Sequence, residues 1–228
     1  MIGVRGLICL LLLLPLPAFA GLFIDDFEDG DDFGWRVVRG EWKVEGGAYV
    51  SANPIPNAAR NLSQVSYTML QSPWRIKDGA VELSIRFDER AEGGDEALLL
   101  YRMEDDENGY ALKIWKEGLT IYKIVVGNLI TIRMEPSVVK PTVNHVKLEL
   151  EGMWMKVHLN GVLRMRIGDP EKSRYEEGRI GLGVPKAKFP VRFEEVRVEG
   201  EGIYQFRVNM PVEAKGKLPL LWGEIKGR

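Results

Sequence analysis

Hydrophobic and polar residues alternate along most of the chain from residue 78 onward. In residues 80–88, Val81, Leu83 and Ile85 fall on one side of an extended chain, whereas Glu82 and Ser84 fall on the other. A period of two is typical of strands that bury one face and leave the other in water. Similar runs occupy residues 97–103, 110–115, 119–126, 129–134, 146–151, 153–159, 163–167, 179–184 and 191–198. We therefore predict an all-β protein.

Short turn signals separate the predicted strands, among them Asn108-Gly109, Gly127-Asn128 and Asn160-Gly161. Many short strands with turns every 8 to 12 residues or so are typical of a sandwich or a barrel. The sequence lacks the helical stretches that parallel βαβ units need between their strands. The pattern thus favours an antiparallel β-sandwich. Residues 58–72 stay ambiguous between a strand and an irregular segment.

The hairpin at Asn160-Gly161 allows its register to be argued. A two-residue turn would pair Val157 with Arg164 and mix the apolar and polar faces of both strands. A three-residue turn with Gly161 in the left-handed conformation pairs Val157 with Leu163 and Met155 with Met165, which keeps both faces consistent. We predict the three-residue turn, with Trp154 near Arg166 on the outer face.

A second slip in the alternation occurs near the end of the sandwich. Val191 and Phe193 share a face, but Val196 and Val198 resume one residue out of step. An extra residue at Glu194-Glu195 would absorb this slip as a β-bulge.

The two ends of the chain differ from the middle. Residues 1–20 read as a signal peptide, with Arg5, an apolar stretch and an Ala-Phe-Ala cleavage site ending at Ala20. We assign residues 21–200 to one sandwich domain and residues 201–228 to a C-terminal extension that contains Leu220, Leu221 and Trp222. The sequence therefore predicts a secreted or extracytoplasmic protein with no transmembrane segment in its mature form.

Rare residues exclude several classes of site. The single cysteine, Cys9, lies in the predicted signal, so the mature chain has no disulfide, thiolate nucleophile or cysteine ligand. His145 and His158 both fall on predicted strands, and no G-x-S-x-G motif accompanies them, which argues against a hydrolytic triad. With 31 Lys and Arg against 33 Asp and Glu, the charge argues against a nucleic-acid partner.

Several short motifs follow one another in a recurrent order. They are FIDDFEDG at residues 23–30, GW at 34–35, GEWKVEGG at 40–47, DENGY at 106–110, GRIGL at 178–182 and FEEVRV at 193–198. In this order they resemble the concanavalin A-like lectin and glucanase jelly-roll superfamily, especially its laminin-G-like and secreted sugar-active branches. The resemblance covers about residues 22–199.

The resemblance implies two sheets, a sugar-binding face and, in many members, a calcium ion. It does not imply catalysis. The glucanase branch carries an E-x-D-x-E strand motif that directs its acid and nucleophile to one side. This sequence lacks that motif. Its nearest pair, Glu149 and Glu151, ends at a turn, and we interpret it as a solvated strand edge.

Aromatic residues on a wet sheet face can stack on sugar rings while polar neighbours bind hydroxyl groups. The candidate carbohydrate-binding residues are Trp115, Tyr122, Lys113, Trp154, Arg102 and Asn108. Core packing of the rings is the competing interpretation, because residues 110–126 are partly apolar on both faces.

The acidic opening of the domain, residues 25–32, concentrates oxygen ligands that suit calcium. In the jelly-roll resemblance the first strand pairs near the last. Asp26 could then meet Glu194 or Glu195 in a calcium site. The alternative is a solvated acidic turn that protects an edge strand.

The sequence therefore predicts an exported, noncatalytic β-sandwich module that binds carbohydrate or acts in adhesion. One alternative is a glycoside hydrolase of the same fold that uses acids other than the missing motif. Another is a structural part of a cell-surface assembly, in which the C-terminal extension docks onto a protein partner.

Overall fold

The structure, a computed structural model, describes residues 21–207 except 54–58, 72, 92–93, 138, 140–141, 170–174, 202 and 204–205. The strands are β1 (Gly21–Asp25), β2 (Trp35–Arg39), β3 (Trp42–Val44), β4 (Tyr49–Asn53), β5 (Ser66–Leu70), β6 (Gly79–Arg86), β7 (Glu96–Met103), β8 (Gly109–Trp115), β9 (Gly118–Val125), β10 (Asn128–Pro136), β11 (Val143–Glu151), β12 (Trp154–Leu159), β13 (Val162–Gly168), β14 (Arg179–Gly200) and β15 (Phe206–Arg207). Two 3₁₀ helices, Leu62–Gln64 and Glu89–Ala91, complete the described elements.

The strands form two sheets, which we name A and B. Sheet B runs β10-β9-β8-β7-β14-β5-β2, and sheet A runs from β14 through β6, β11 and β12 to the edge strand β13. On the other side of β14, sheet A adds β4 with β3, and β1 with β15. All pairs are antiparallel except β1 with β15. The predicted antiparallel β-sandwich is confirmed.

Strand β14 belongs to both sheets. Its first part, Arg179 to Lys186, pairs with β7 in sheet B, and its last part, Arg192 to Gly200, pairs with β6 in sheet A. The sequence predicts two separate strands here, at residues 179–184 and 191–198. In the structure the chain passes from one layer to the other without leaving the extended conformation.

The core lies between the sheets, where the apolar residues of each strand face inward. Val81, Leu148 and Val157 are fully buried on sheet A, and Leu112 and Ile121 on sheet B. Met155 and Met165 are buried too, as the predicted alternation requires. A second apolar cluster, which includes Leu62, Val65, Leu98 and Leu100, covers part of the outer face of sheet B.

The predicted three-residue turn of the β12–β13 hairpin is wrong. Leu159 pairs with Val162, so Asn160 and Gly161 form a two-residue turn, and both have positive φ, at 52° and 78°. The slip is absorbed inside β13 instead, where Arg164 is the extra residue between the pairs His158–Leu163 and Val157–Met165. Consequently Met155 pairs with Ile167 rather than Met165.

The predicted bulge near the end of the sandwich is confirmed. Phe193 pairs with Ile85 and Glu195 pairs with Ser84, which leaves Glu194 as the extra residue. Because of this insertion, Phe193 and Val196 both point into the core although they are three residues apart.

The predicted signal peptide and residues 208–228 of the extension lie outside the described residues, so the predictions on their roles stay predictions. Of the extension, Phe206–Arg207 pairs with β1 as a short parallel strand. The part of the chain that the structure describes contains no helix with the length and apolar character needed to span a membrane.

Candidate functional site

The outer face of sheet A carries two adjoining depressions with cavity volumes of about 470 and 360 Å³. Both are lined by Lys147 and Glu149 on β11, which joins them into one surface that we call the outer groove. Its other polar lining residues are Glu82, Ser84, His145, Glu151, Trp154, Lys156, His158, Glu195 and Glu199. The groove follows from the alternation, because every second residue of β6, β11 and β12 faces outward.

Ion pairs bridge the strands along the floor of the groove. Lys147 Nζ lies 3.3 Å from Glu82 Oε1 and 3.5 Å from Glu149 Oε1. Hydrogen bonding to Glu82 and the charges of both carboxylates raise the pKa of Lys147, so this residue remains a cation. Lys156 Nζ lies 3.5 Å from Glu151 Oε2. The groove therefore offers charged acceptors and donors held in fixed positions, as the binding of hydroxyl groups requires.

Trp154 provides an aromatic surface at one end of the groove, and its side chain is 49% exposed. It lies opposite Gly168 across the β12–β13 pair. A Cβ added to Gly168 would lie 3.2 to 3.5 Å from three adjacent atoms of the indole ring. Such similar distances indicate that the face of the ring covers the glycine. Because Gly168 has no side chain, the indole of Trp154 can lie along the sheet with much of its surface in solvent.

The two histidines lie at the other end of the groove. Ser84 Oγ and His145 Nδ1 are 2.9 Å apart and share a hydrogen bond. His158 Nε2 lies 3.7 Å from Glu149 Oε2 and has no hydrogen-bond partner among the residues that the structure describes. Asn160 fixes this end, since it accepts a hydrogen bond from the backbone N–H of His145 and donates its own N–H to the His145 carbonyl.

The structure brings three of the sequence-predicted site residues together on the outer face of sheet B. Lys113 Nζ lies 4.7 Å from the ring centroid of Trp115 and 6.0 Å from that of Tyr122. The same ammonium lies 3.4 Å from Glu96 Oε1, and both side chains of this ion pair are nearly buried. The rings of Trp115 and Tyr122 are half-buried. The predicted aromatic and lysine cluster exists, but its cation is already surrounded by partners.

Two further predicted residues lie elsewhere. Arg102 is buried, and its guanidinium donates to the carbonyl oxygen of Lys77 and to Asp78 Oδ1, which also accepts the backbone N–H of Gly152. Asn108 closes the β7–β8 turn by donating to Asp105 and accepting the N–H of Val126. These contacts join strands and turns, and they leave Trp154 as the predicted ligand residue in the outer groove.

The predicted calcium ligands have other contacts. Asp26 Oδ1 accepts the backbone N–H of Glu28, and Glu194 Oε1 lies 2.6 Å from Nε of Arg86. Glu195 lines the outer groove. Between residues 21 and 207, leaving the gaps aside, no three acidic, histidine or cysteine side chains are grouped as a metal site requires. Calcium binding stays a prediction.

Sequence reasoning missed the centre of the groove. Glu149, interpreted as a solvated strand edge, lies between Lys147 and Lys156. The Ser84–His145 contact was missed because the alternation shows which face a residue occupies but does not show which distant strand lies beside it. Only the pairing of β6 with β11 brings the two side chains together.

No known protein family and no curated protein matches this chain. Solved structures do match it. A carbohydrate-binding module from Bacillus subtilis, CBM66, is 20% identical, with a TM-score of 0.54 over 74% of this chain and 92% of that chain. A β-glucanase from Bacillus licheniformis is 10% identical, with a TM-score of 0.53 over 78% of this chain and 97% of that chain. Porphyranase B from Zobellia galactanivorans is 9% identical, with a TM-score of 0.53 over 78% and 90%. These likenesses show the concanavalin A-like jelly-roll fold, as the motif order predicts.

Proposed function

We propose that this protein is an exported carbohydrate-binding module whose ligand lies in the outer groove of sheet A. The observation that carries the proposal is the exposed indole of Trp154 at the end of a groove lined by charged side chains. Sugar rings have an apolar face that packs on an aromatic ring and hydroxyl groups that need donors and acceptors. Trp154 supplies the first, and Glu151, Lys156 and Glu199 supply the second. The names of the structural neighbours support the same class of ligand.

Replacing Trp154 by Ala is expected to weaken glycan binding at least about tenfold, because the stacking surface is lost. The measurement is a glycan-array screen of the purified chain, followed by calorimetric titration of the best ligand. Met153→Ala is the matched control, since Met153 is an apolar neighbour of similar exposure, 44% against 49%, in the β11–β12 turn. Trp115→Ala distinguishes the two aromatic surfaces. A loss in Trp115→Ala with normal binding in Trp154→Ala would move the site to sheet B.

Hydrolysis is the second candidate function, and one observation favours it. Glu82 and Glu149 each lie within 3.5 Å of Lys147 Nζ, so the two contacting oxygens are no more than about 7 Å apart. Carboxyl pairs at about 5 to 10 Å serve glycosidases. Against it, Lys147 holds a cation between the two carboxylates, whereas a glycosidase needs one of them protonated as the general acid.

We expect the purified chain to release no reducing ends from any glycan that it binds. A reducing-sugar assay over a day, at pH values from 4 to 8, checks this. Product formation that disappears in both Glu82→Gln and Glu149→Gln would establish hydrolysis instead. Activity that survives both changes would come from a contaminating enzyme.

A further inference from the structure

We propose that the outer groove selects acidic glycans, with the guanidinium of Arg166 binding the carboxylate or sulfate group of a sugar that packs on Trp154. This inference rests on the proposed function and names its class of ligand. Arg166 lies on the edge strand β13, and its Cζ is 5.1 Å from the ring centroid of Trp154. A ligand on the indole therefore comes within reach of the guanidinium.

In the described part of the chain, Arg166 is a cation that the acids of this region leave unpaired, as is Arg164 on the same strand, but Arg166 is the one that contacts Trp154. Lys147 is paired with Glu82 and Glu149, Lys156 with Glu151, and Arg197 with Glu199. Arg166 is exposed, and within the described ranges of the chain it has no carboxylate within ion-pair distance. Its guanidinium lies over the Trp154 ring in a cation–π contact, and among the described residues no carboxylate occupies its N–H donors.

The register of the hairpin adds a second observation. Lys156 and Arg166 lie directly opposite each other in the β12–β13 pair. Like charges at directly opposed positions repel and destabilise a sheet. Lys156 is drawn toward Glu151 on β11, whereas Arg166 is drawn toward Trp154. The space between the two cations therefore favours a bound anion, which would relieve the repulsion.

An anionic sugar satisfies both parts of this arrangement. The planar guanidinium binds carboxylate and sulfate oxygens through charge-assisted hydrogen bonds, which are stronger than bonds to neutral hydroxyl groups. The apolar face of the same sugar ring packs on the indole. A uronic acid and a sulfated sugar share this chemistry. The competing explanation is that Arg166 only keeps the edge strand β13 from pairing with other chains.

The test uses an array that carries neutral, uronate-containing and sulfated glycans, followed by calorimetric titration. We expect binding to acidic glycans, weakened at least about tenfold when the carboxylate of the bound glycan is methyl-esterified or its sulfate is removed. Arg166→Gln should weaken binding of the acidic form by about tenfold and leave the neutral derivative unaffected. Comparing the affinities for the uronate-containing and the sulfated glycans shows which anion the protein prefers.

Arg164→Gln is the matched control, because Arg164 is an exposed arginine of the same strand that does not contact Trp154. An equal loss of affinity in Arg164→Gln and Arg166→Gln would mean that the glycan is attracted by the positive charge of the strand in general. It would overturn the role assigned to Arg166. Equal affinity for the charged and neutral forms of the glycan, or unchanged binding in Arg166→Gln, would also overturn the role of Arg166. The proposed function would still stand if a neutral glycan bound and its binding depended on Trp154. No binding anywhere on the array would overturn both.

Discussion

The free energy of unfolding is expected to fall as the pH rises from about 4 to about 7, and the carboxyl group of Asp25 is the reason. Asp25 is fully buried at the end of β1. Burial raises the pKa of Asp25 to about 7, although hydrogen bonds from the Phe27 backbone N–H and the Trp35 indole oppose the shift. In the unfolded chain an aspartate has a pKa near 4.

The direction of the effect follows from these two pKa values. Below pH 4 the carboxyl group is protonated in both states, and the stability associated with the raised pKa is fully present. Between pH 4 and 7 the unfolded chain releases the proton while the folded chain retains it, so unfolding becomes easier. Above pH 7 both states are ionised and this group adds no further change. A shift of about three pKa units corresponds to about 4 kcal/mol at most.

Asp25→Asn removes the titration while keeping the shape of the side chain. The amide oxygen can accept only one of the two hydrogen bonds from Phe27 and Trp35, which costs about 1 kcal/mol at pH 4. At pH 8 the variant is expected to equal or exceed the stability of the natural chain. Urea unfolding at pH 4, 5.5, 7 and 8 measures both curves.

Asp26→Asn is the control, since it removes the neighbouring charge and leaves the contact with Trp35 in place. Its unfolding free energy should fall with pH almost as that of the natural chain does, because the charge of Asp26 is the smallest of the causes that raise the pKa of Asp25. If the curves of Asp25→Asn and the natural chain also stay parallel, then Asp25 does not carry this pH dependence.

Asp25 also shows where interpretation of the acidic opening was incomplete. Alternation in β1 places Phe23 and Asp25 on the same face, so a carboxyl group enters a core of aromatic rings. The spacing of acids suggested oxygen ligands, but spacing alone does not show that Trp35 lies close enough to donate a 2.8 Å hydrogen bond. The contact exists because β1 and β2 belong to different sheets that meet over this cluster.

The fold could be predicted to the extent that alternation determines it. One face must be buried, so the positions of Val81, Leu148 and Val157 follow from the sequence. The β12–β13 turn could not be decided in this way, because a slip in register can be absorbed in the turn or within the strand. The structure decides it through the pairing of Leu159 with Val162, next to the position where Asn160 hydrogen-bonds His145 of the neighbouring strand β11.

Of the groove, the sequence identified Trp154 but not the charged residues that surround it. The sequence singled out Trp154 and placed it near Arg166, and the structure confirms that contact. It gave no means of grouping Trp154 with Glu199, because β14 and β12 are separated in sheet A by β6 and β11. The sequence places Lys113 on the strand face of Trp115 and Arg102 near the same sheet, but it does not show their burial, which depends on partners from distant segments.

Phe193→Ala is expected to lower the free energy of unfolding by about 3 to 5 kcal/mol, because it opens a cavity in the core. Phe193 is fully buried, pairs with Ile85 and Tyr49, and its ring centroid lies 5.8 Å from that of Trp42. It is also the last residue before the bulge at Glu194. Its inward orientation therefore tests the register of β14 on both sides of the slip.

Phe33→Ala is the matched control, since Phe33 is 53% exposed and its removal should change stability by less than about 0.5 kcal/mol. Chemical denaturation of both variants compares the same deletion in the core and at the surface. Phe193→Leu keeps most of the buried volume and should cost less than about 1.5 kcal/mol, so it remains measurable if the alanine variant does not fold. Equal, small losses for Phe193→Ala and Phe33→Ala would mean that Phe193 lies outside the core. The bulge at Glu194 would then be placed wrongly. The assignment of Glu195 and Glu199 to the outer face of sheet A, where they line the groove, would fail with it.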